Sequence, residues 1–431
     1  MGSEMCIRDR VYNTCISNID TVSGRCHPSL FAYREMHMSF SDAPIADSLV
    51  QMGRPAREEG RQVNLPIELG STMVFDELAS FEDARDKRYE SGTLYYGRYG
   101  NTASFQLEEV LAKLEKAAGV TLTSSGVAAI TLTLLTFAKP GAHLLVADHV
   151  YGNTRAFCDD VLTRMGVEVS YFDPCIGDAI AEMIRPNTCA VMFEAPGSGT
   201  FEMPDIPAIA KTARSAGVPS VLDGTWATPI FCQPLTLGVD VVVASLSKYL
   251  SGHSDCMMGM IACNKKHTQS IRKTVMLIGD KTGGQEVFLA LRGIRTLQVR
   301  MAHFDRAGRE IAAWLSEQPQ VKRILHPAFA SCPGHVYWQR DFTGAAGLFG
   351  VVFYPCSDDQ IRRFIDQLHH FGIGVSWGGI ESLVLPVKPR RSTDSWVEDG
   401  QLVRFNIGLE DIESLKADLA AALPVLNSAQ E

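Results

Sequence analysis

The amino-acid sequence predicts an α/β fold in which helices sandwich a mostly parallel sheet. Six short apolar runs between residues 143 and 263 are typical of buried strands, and helical patterns at 153–165 and 204–216 separate several of them. This alternation is typical of parallel strands that are joined by helices. After Gly293 the pattern changes to long amphipathic runs with fewer strands, which predicts a second, smaller α+β domain.

The chain divides into four predicted segments. Residues 1–38 show neither helical nor strand periodicity, so we expect a disordered or non-native extension. Residues 39–100 begin as a polar, charged stretch with several prolines, which is typical of an arm that contacts a neighbouring subunit. Residues 101–293 contain the predicted strands of the larger domain, and residues 294–431 are expected to form the smaller one. A chain of 431 residues is long enough for both cores.

Composition and charge exclude several classes of protein. The formal charge of −9 and the lack of Lys and Arg clusters argue against a nucleic-acid partner. No apolar run is long enough to cross a bilayer, and the 11 cysteines include no CxxC pair and no zinc-ligand spacing. We therefore expect a cytoplasmic protein that binds a small molecule and no metal.

The stretch DVVVASLSKYLSGHSD, residues 240–255, contains the strongest candidate for catalysis. Its apolar β-branched run ends in small hydroxylated residues around Lys248. In a dry pocket a lysine loses solvation, its pKa falls, and its free amine can form a Schiff base with an aldehyde. Ser245 and Ser247 offer hydroxyl groups that could bind a phosphate. Taken alone, a lysine after a strand is more often a surface residue, so the neighbouring motifs decide between the two interpretations.

Two further stretches are candidates for phosphate binding. Ser125, Gly126 and Val127 open a helix of small residues, where backbone N–H groups and the helix dipole attract an anion. Tyr96 and Arg98 belong to an aromatic and basic loop, from which the guanidinium could clamp a phosphate. Each pattern is a weak indication by itself. In the loop, a packed tyrosine beside a surface arginine is the commoner arrangement.

Other candidates follow strands, where ligand sites occur in sheets of this kind. Tyr151 could stack on a flat ring, although a half-buried tyrosine is an equal alternative. Asp223 could hold a pyridinium nitrogen protonated, or it could cap the next turn. In the C-terminal part, Arg404 could bind a carboxylate near Ser376 and Trp377, although a lone arginine there more often forms a surface ion pair.

Two rival motifs are rejected. GSGTFE, at 197–202, begins like a dinucleotide-binding loop but has Glu202 where the third glycine belongs. Ser245-x-x-Lys248 imitates the serine acyl-enzyme motif of penicillin-recognising proteins. That chemistry requires the serine at the start of a helix, whereas here it follows an apolar strand and Cys256 replaces the expected asparagine.

Together these motifs resemble the pyridoxal-phosphate-dependent enzymes of cysteine and methionine metabolism. The resemblance extends from about Pro66 to the C-terminus. Eight stretches carry it in the expected order: YYGRYGN, SSGVAAI, VLDGTWATP, SLSKYLSGHSD, LRGIRTL, HPAFASCPGHVYWQRDFTGAAGLF, SWGGIESL and VRFNIGLED. One such motif would be weak, but eight in series are highly specific.

The resemblance implies the large domain of an aspartate-aminotransferase-like fold, with pyridoxal 5'-phosphate bound by residues 101–293. Lys248 would carry the cofactor as a Schiff base, Asp223 would pair with its ring nitrogen, and Tyr151 would stack on its ring. The residues implied for its phosphate are Ser125, Gly126, Val127, Ser245 and Ser247, with Tyr96 and Arg98 from an adjacent subunit. A homotetramer built from two catalytic dimers is implied as well.

The implied reaction is carbon–sulfur β-elimination, which cleaves L-cystathionine to homocysteine, pyruvate and ammonia in methionine biosynthesis. The implied catalytic residues are Lys248, Tyr151 and Tyr96, and the implied substrate-binding residues of the C-terminal domain are Arg404, Ser376 and Trp377. Lys248 is the favoured base for the α-proton, with either tyrosine as an alternative.

Two positions depart from the family pattern. Ser247 stands where threonine is usual, which keeps the hydroxyl, and Asp223 is followed by Gly224 where asparagine is common. Both leave room for altered cofactor affinity or substrate preference. The sequence does not separate β- from γ-elimination, so γ-acting relatives (cystathionine γ-synthase, cystathionine γ-lyase and methionine γ-lyase) remain alternatives. A noncatalytic regulatory binding protein is a more distant alternative.

Overall fold

The computed structural model describes residues 45–55, 60, 62–393 and 400–427. The predicted extension at 1–38 lies outside the described residues, as does the beginning of the predicted arm. No described helix is both long enough and apolar enough to cross a membrane.

Seven strands form the larger sheet. They are β1 (Gly119–Thr123), β2 (His143–Ala147), β3 (Glu168–Phe172), β4 (Thr188–Glu194), β5 (Ser220–Asp223), β6 (Val241–Ser245) and β7 (Gly259–Cys263). Their spatial order is β1-β7-β6-β5-β4-β2-β3. Five neighbouring strands, from β3 to β6, are parallel, whereas β7 runs antiparallel to both β6 and β1. The prediction of a mostly parallel sheet is confirmed.

Strands such as β2 and β7 are buried along their whole length, because helices cover this sheet. The helices of this part are α1 (Ile45–Gln51), α2 (Leu78–Asp86), α3 (Thr102–Glu115), α4 (Gly126–Phe137), α5 (Gly152–Ala156), α6 (Ile206–Ser215), α7 (Thr228–Phe231), α8 (Thr268–Ile278) and α9 (Gly284–Ile294). Shorter 3-10 segments lie at Gly177–Met183 and Pro234–Leu237. The helix predicted at 153–165 is shorter than expected, because α5 widens into a π-helical turn at Phe157–Leu162.

A second sheet follows in the C-terminal part. Its elements are α10 (Leu297–Ser316), β8 (Val321–Leu325), α11 (His335–Asp341), β9 (Leu348–Phe353), α12 (Asp358–Asp366), β10 (Gly372–Ile373), β11 (Leu383–Pro386), β12 (Gln401–Asn406), α13 (Ile412–Ala422) and a 3-10 turn (Leu423–Asn427). The strand order is β10-β11-β12-β9-β8, antiparallel except for the β10–β11 pair. A separate apolar cluster that includes Phe349, Phe405 and Leu415 packs on it. The smaller α+β part is confirmed, while the exact domain boundaries stay a prediction.

Side-chain caps fix the start of two helices of the larger part. Asn101 and Ser104 form a reciprocal capping box at α3, with bonds of 2.9 and 2.8 Å. Ser125 caps α4 by accepting a hydrogen bond from the backbone N–H of Ala128 at 3.0 Å. The start of α4, which the sequence predicted at this serine, is therefore held in place by the serine itself.

Candidate active site

Lys248 lies in the lysine loop, residues 246–258, which connects β6 to β7. The two strands are antiparallel, so the end of β6 at Ser245 pairs with the beginning of β7 at Gly259. The backbone N–H of Leu246 donates to the carbonyl of Met258 at 2.9 Å and closes the base of the loop. Both ends of the loop are thereby fixed at the sheet edge where the parallel strands β4 and β5 also end.

The Lys248 amine contacts two side chains of the segment that precedes β11. Its Nζ donates to Ser376 Oγ at 2.7 Å and lies 5.4 Å from the centre of the Trp377 ring. Burial, and to a smaller extent the positive charge of Arg404, lowers the pKa of Lys248 to about 8. A larger share of the amine is therefore unprotonated at neutral pH than in an ordinary lysine.

The backbone of this segment packs directly on the lysine loop. Gly378 has a φ of +79°, and a Cβ there would lie 2.9 Å from the backbone N of Tyr249 and 3.2 Å from Lys248 Cβ. Glycine is required at this position, because a side chain would clash with the lysine loop and other residues rarely adopt a positive φ. The N–H of Gly378 also donates to Asn406 Oδ1 at 3.1 Å, which ties the segment to β12.

Asp223, the last residue of β5, is 8% exposed. Its Oδ1 accepts hydrogen bonds from the backbone N–H and the hydroxyl of Thr225, at 3.0 and 2.5 Å. The Thr225 hydroxyl oxygen in turn accepts from the backbone N–H of Ser245 at 3.0 Å. Burial raises the pKa of Asp223, so a cationic partner is needed to stabilise its ionised form.

The N-terminus of α4 meets the end of β6 at very close range. A Cβ on Gly126 would lie 2.6 Å from Ser245 Cβ and 2.9 Å from its Oγ. Backbone N–H groups in the first turn of a helix, such as those of Gly126 and Val127, have no partner within the helix and carry the positive end of its dipole. Together with the Ser245 hydroxyl they form a site suited to an anion.

Ser247 anchors the lysine loop. Its hydroxyl donates to the carbonyl of Met258 at 3.2 Å and accepts from the backbone N–H of the same residue at 3.0 Å. This contact holds the serine against the start of β7. Its role as a phosphate ligand stays a prediction.

Tyr151, between β2 and α5, is 37% exposed, and its hydroxyl accepts a hydrogen bond from Asn153 Nδ2 at 2.8 Å. Its backbone N–H donates to Glu194 Oε2 at 2.7 Å, and the Ser198 hydroxyl donates to Glu194 Oε1 at 2.8 Å. Glu194 pairs with Asp223 in the register of β4 and β5. Burial, followed by the nearby carboxylates, raises the pKa of Tyr151, so its phenol stays protonated at neutral pH.

Arg404 extends from β12 to the segment that carries Ser376. Its Nη2 donates to the carbonyl of Val375 at 2.8 Å and lies 3.4 Å from the carbonyls of Gly374 and Ser376. Burial lowers the pKa of Arg404, but a guanidinium stays cationic at neutral pH. All hydrogen bonds found for it within the described residues use Nη2, which leaves Nη1 and Nε for a carboxylate.

Tyr96 and Arg98 lie in residues 39–100, the predicted arm. Arg98 Nη1 donates to the carbonyl of Met276, and its guanidinium lies 4.6 Å from the centre of the Tyr99 ring. Tyr96 is 41% exposed. Within the described residues no hydrogen bond joins either of them to Lys248 or to the other predicted site residues of the same chain. Their contribution to the site of a neighbouring subunit stays a prediction.

The chemistry of the side chains and backbone donors at this site fits pyridoxal phosphate. Lys248 offers an amine of lowered pKa for an aldehyde, and buried Asp223 suits a protonated ring nitrogen. The close contact at Gly126 brings the helix N-terminus and the Ser245 hydroxyl together for a phosphate. The residues that would hold the cofactor are Lys248, Asp223, Tyr151, Ser125, Gly126, Val127 and Ser245.

Sequence reasoning missed three residues that organise this site: Glu194, Thr225 and Arg300. Arg300, on α10, donates to the carbonyl of Tyr249 at 2.6 Å and to that of Gly293 at 2.8 Å. Glu194 ends a predicted strand, so the same criterion that selected the other strand-end carboxylate could have found it. No sequence pattern indicated Arg300, since an arginine in an amphipathic helix is usually exposed.

Comparison with known proteins supports the resemblance noted in the sequence. The family model for Cys/Met metabolism PLP-dependent enzymes matches residues 46–424. The chain is 39% identical to a putative cystathionine β-lyase from Rhizobium johnstonii, over 88% of this chain and 95% of that protein. It is 37% identical to cystathionine β-lyase MetC from Escherichia coli, over 88% and 98%. A solved cystathionine γ-synthase from Xanthomonas oryzae pv. oryzae superimposes with a TM-score of 0.81 and 27% identity, over 89% and 98%. The chain therefore belongs to the family of Cys/Met metabolism PLP-dependent enzymes.

Proposed function

We propose that this PLP-dependent enzyme is a carbon–sulfur β-lyase that cleaves L-cystathionine to homocysteine, pyruvate and ammonia. Similarity to two proteins that bear the name cystathionine β-lyase supports the substrate and the reaction. The structural observation that carries the proposal is the Lys248 amine, held 2.7 Å from Ser376 Oγ. Arg404 donates to the carbonyl of Val375, the residue before Ser376. A base and a cation that could bind a carboxylate therefore lie at one site.

Lys248 is the best base for the substrate α-proton. When bound, pyridoxal phosphate withdraws electrons from the α-carbon that has lost this proton. The Lys248 amine has a pKa of about 8 and accepts a proton near neutral pH, whereas burial keeps the Tyr151 phenol protonated. Ser376 Oγ accepts a hydrogen bond from the ammonium form and orients it.

The reaction consumes one water molecule for each L-cystathionine. The bond between the β-carbon and sulfur breaks, and the sulfur leaves as homocysteine thiolate, which takes up a proton. Lys248, once protonated, is a donor for this step. Hydrolysis converts the remaining three-carbon unit to pyruvate and ammonia.

Arg404 would bind the substrate α-carboxylate. Its Nη2 is fixed by the carbonyl of Val375, so the rest of the planar fork is held in one orientation. The Trp377 ring, which packs 5.4 Å from the ring of Tyr249, covers one side of the Lys248 amine and shields it from water. Pre-organisation of this kind reduces the entropy lost when the substrate binds.

The first test uses purified holoenzyme and L-cystathionine. Pyruvate and homocysteine should appear together in equal amounts, and Lys248→Ala should remove turnover. A yellow, active protein that forms 2-oxobutyrate would reject the β-lyase and identify one of the γ-acting relatives. A protein that binds the cofactor and turns over no sulfur amino acid would instead favour the noncatalytic regulator.

We also propose a cytoplasmic homotetramer. Several apolar side chains of the arm are exposed in the single chain, with Val74 at 90%, Leu69 at 79% and Leu78 at 71%. Several large apolar side chains exposed within ten residues of one another are in keeping with a surface that another subunit covers. The eight cysteines among the described residues are all free thiols, in keeping with a reducing compartment.

A further inference from the structure

Glu194 is a carboxylic acid at the site that the proposed reaction does not use. It ends β4 and lies beside Asp223, its partner in the parallel register. Each of its two oxygens accepts one hydrogen bond, from the Tyr151 backbone N–H at 2.7 Å and from the Ser198 hydroxyl at 2.8 Å. Burial and the adjacent Asp223 carboxylate raise the pKa of Glu194 well above its usual range.

These contacts join three separate parts of the chain. Glu194 belongs to β4, Tyr151 ends the connection from β2 to α5, and Ser198 lies in the turn after β4. Tyr151 is 37% exposed, so packing alone does not fix its ring. Hydrogen bonds hold this residue at three points: its backbone N–H donates to Glu194, its carbonyl accepts from the backbone N–H of Arg155 at 3.1 Å, and its hydroxyl accepts from Asn153.

We propose that Glu194 is a positioning residue for the cofactor site, which holds the Tyr151 ring in place through the Tyr151 backbone N–H. The inference rests on the cofactor-stacking role of Tyr151 in the proposed function. Glu194 touches neither Lys248 nor Arg404 in the described hydrogen bonds, so its effect is on the binding of the cofactor ring rather than on the base or the substrate carboxylate.

The test compares Glu194→Met with Glu194→Gln in the apoenzyme. Methionine keeps the volume but removes both acceptor oxygens, and the dissociation constant for pyridoxal phosphate should rise about tenfold or more. Glutamine should restore most of the affinity, because its amide oxygen can accept from Tyr151 while its NH₂ group donates to the Ser198 hydroxyl. Glu182→Met, at an exposed carboxylate, is the matched control and should leave the constant unchanged.

A double-mutant cycle separates action through Tyr151 from a general structural role. If Glu194 acts through Tyr151, then Glu194→Met combined with Tyr151→Ala should bind the cofactor no more weakly than Tyr151→Ala alone. Additive losses, or an unchanged dissociation constant in Glu194→Met, would overturn the inference. Should Glu194→Met fail to fold, Glu194→Asp takes its place, since the shorter carboxylate no longer reaches the Tyr151 N–H.

Cofactor affinity tests the role of Glu194, whereas product identity tests the β-lyase activity. The cycle is measured from cofactor affinity, which does not depend on the reaction that the enzyme catalyses. The β-lyase proposal is tested instead by the products that form from L-cystathionine. A wild-type enzyme that makes 2-oxobutyrate, together with a non-additive cycle, would leave the role of Glu194 intact.

Discussion

The surroundings of Lys248 lower the pKa of its amine. Its amine donates to a neutral hydroxyl, that of Ser376, and lies against the ring of Trp377, so little in the site compensates for lost solvation. Arg404 adds a second positive charge nearby. Desolvation is the larger of the two causes that lower the pKa of Lys248 from 10.5 to about 8.

This pKa predicts how cofactor uptake depends on pH. The unprotonated amine is the reactive form, so the rate at which apoenzyme binds pyridoxal phosphate should rise with pH and level off above a midpoint near 8. Arg404→Met removes a positive charge that disfavours the ammonium, so its midpoint should move upward. Stopped-flow absorbance across the pH range measures both. A wild-type midpoint above about 10 would show that Lys248 is solvated.

Arg404 should affect substrate binding more than cofactor binding. Arg404→Lys keeps the charge but loses the planar fork, so KM for L-cystathionine should rise about tenfold or more while the cofactor dissociation constant changes little. Steady-state kinetics and a cofactor titration make the comparison. Arg292→Lys, at a guanidinium whose side chain is 57% exposed, is the control. An unchanged KM in Arg404→Lys would contradict the assignment.

Among the elements, the N-terminus of α4 has the strictest steric requirement. Gly126→Ala would place a methyl group 2.6 Å from Ser245 Cβ, which forces the helix away from the end of β6. Cofactor affinity should fall about tenfold or more, because the N–H groups and the Ser245 hydroxyl no longer converge on one phosphate. Titration of the apoenzyme measures the loss. Ser215→Ala, at an exposed serine at the end of α6, should bind normally.

Helix α10 stabilises the lysine loop through Arg300. This arginine is 6% exposed, and a Cβ on Gly252 would lie only 1.9 Å from its Nη1. Arg300→Met leaves the carbonyls of Tyr249 and Gly293 without their donor, and should lower the free energy of unfolding by about 3 kcal/mol. A drop of several degrees in the Tm of the apoenzyme would confirm this. Arg292→Met, at an exposed guanidinium, should stay within about 0.5 kcal/mol of wild type.

The sequence predicted six of the seven strands of the larger sheet, because buried strands are continuous apolar runs bounded by turn residues. It missed β1, the short run that precedes α4. It did not predict the reversed direction of β7, since MGMIAC reads as a buried strand in either direction. The first amphipathic run predicted after Gly293 forms α10, which begins at Leu297 because Arg295 and Thr296 make a turn after α9. Contacts made across long sequence separations, such as that of Arg300, leave no local pattern.

For the site, strand-end reasoning brought Lys248, Asp223 and Tyr151 together, and the structure places them at one sheet edge. Ser376 contacts Lys248, and Arg404 lies near enough to lower the pKa of Lys248. The substrate-binding roles that the family resemblance implied for them stay a prediction. The hydroxyl of Thr225 was not anticipated, because its importance depends on Ser245 from another strand. Residues whose role depends on a partner distant in sequence are those that a single sequence does not reveal.

In the whole molecule, the site should need two chains. If Tyr96 and Arg98 reach a neighbouring subunit, then Arg98→Ala and Lys248→Ala chains, each inactive alone, should regain activity when they are co-expressed, because some mixed sites are intact. Differently tagged chains allow the mixed oligomer to be purified and assayed. Asp223→Ala with Lys248→Ala is the control without recovery, since both residues belong to the same chain's site. Absence of recovery in the first pair would show that each site is self-contained.

The antiparallel direction of β7 has a mechanical consequence. Because both ends of the lysine loop are attached to the same edge of the larger sheet, Lys248 is carried on the same framework as Asp223 and the start of α4. Ser376 and Arg404 are carried by the smaller sheet. If the two sheets moved relative to each other, the distances from the Lys248 amine to Ser376 and Arg404 would change, whereas the distances among Lys248, Asp223 and the start of α4 would stay the same.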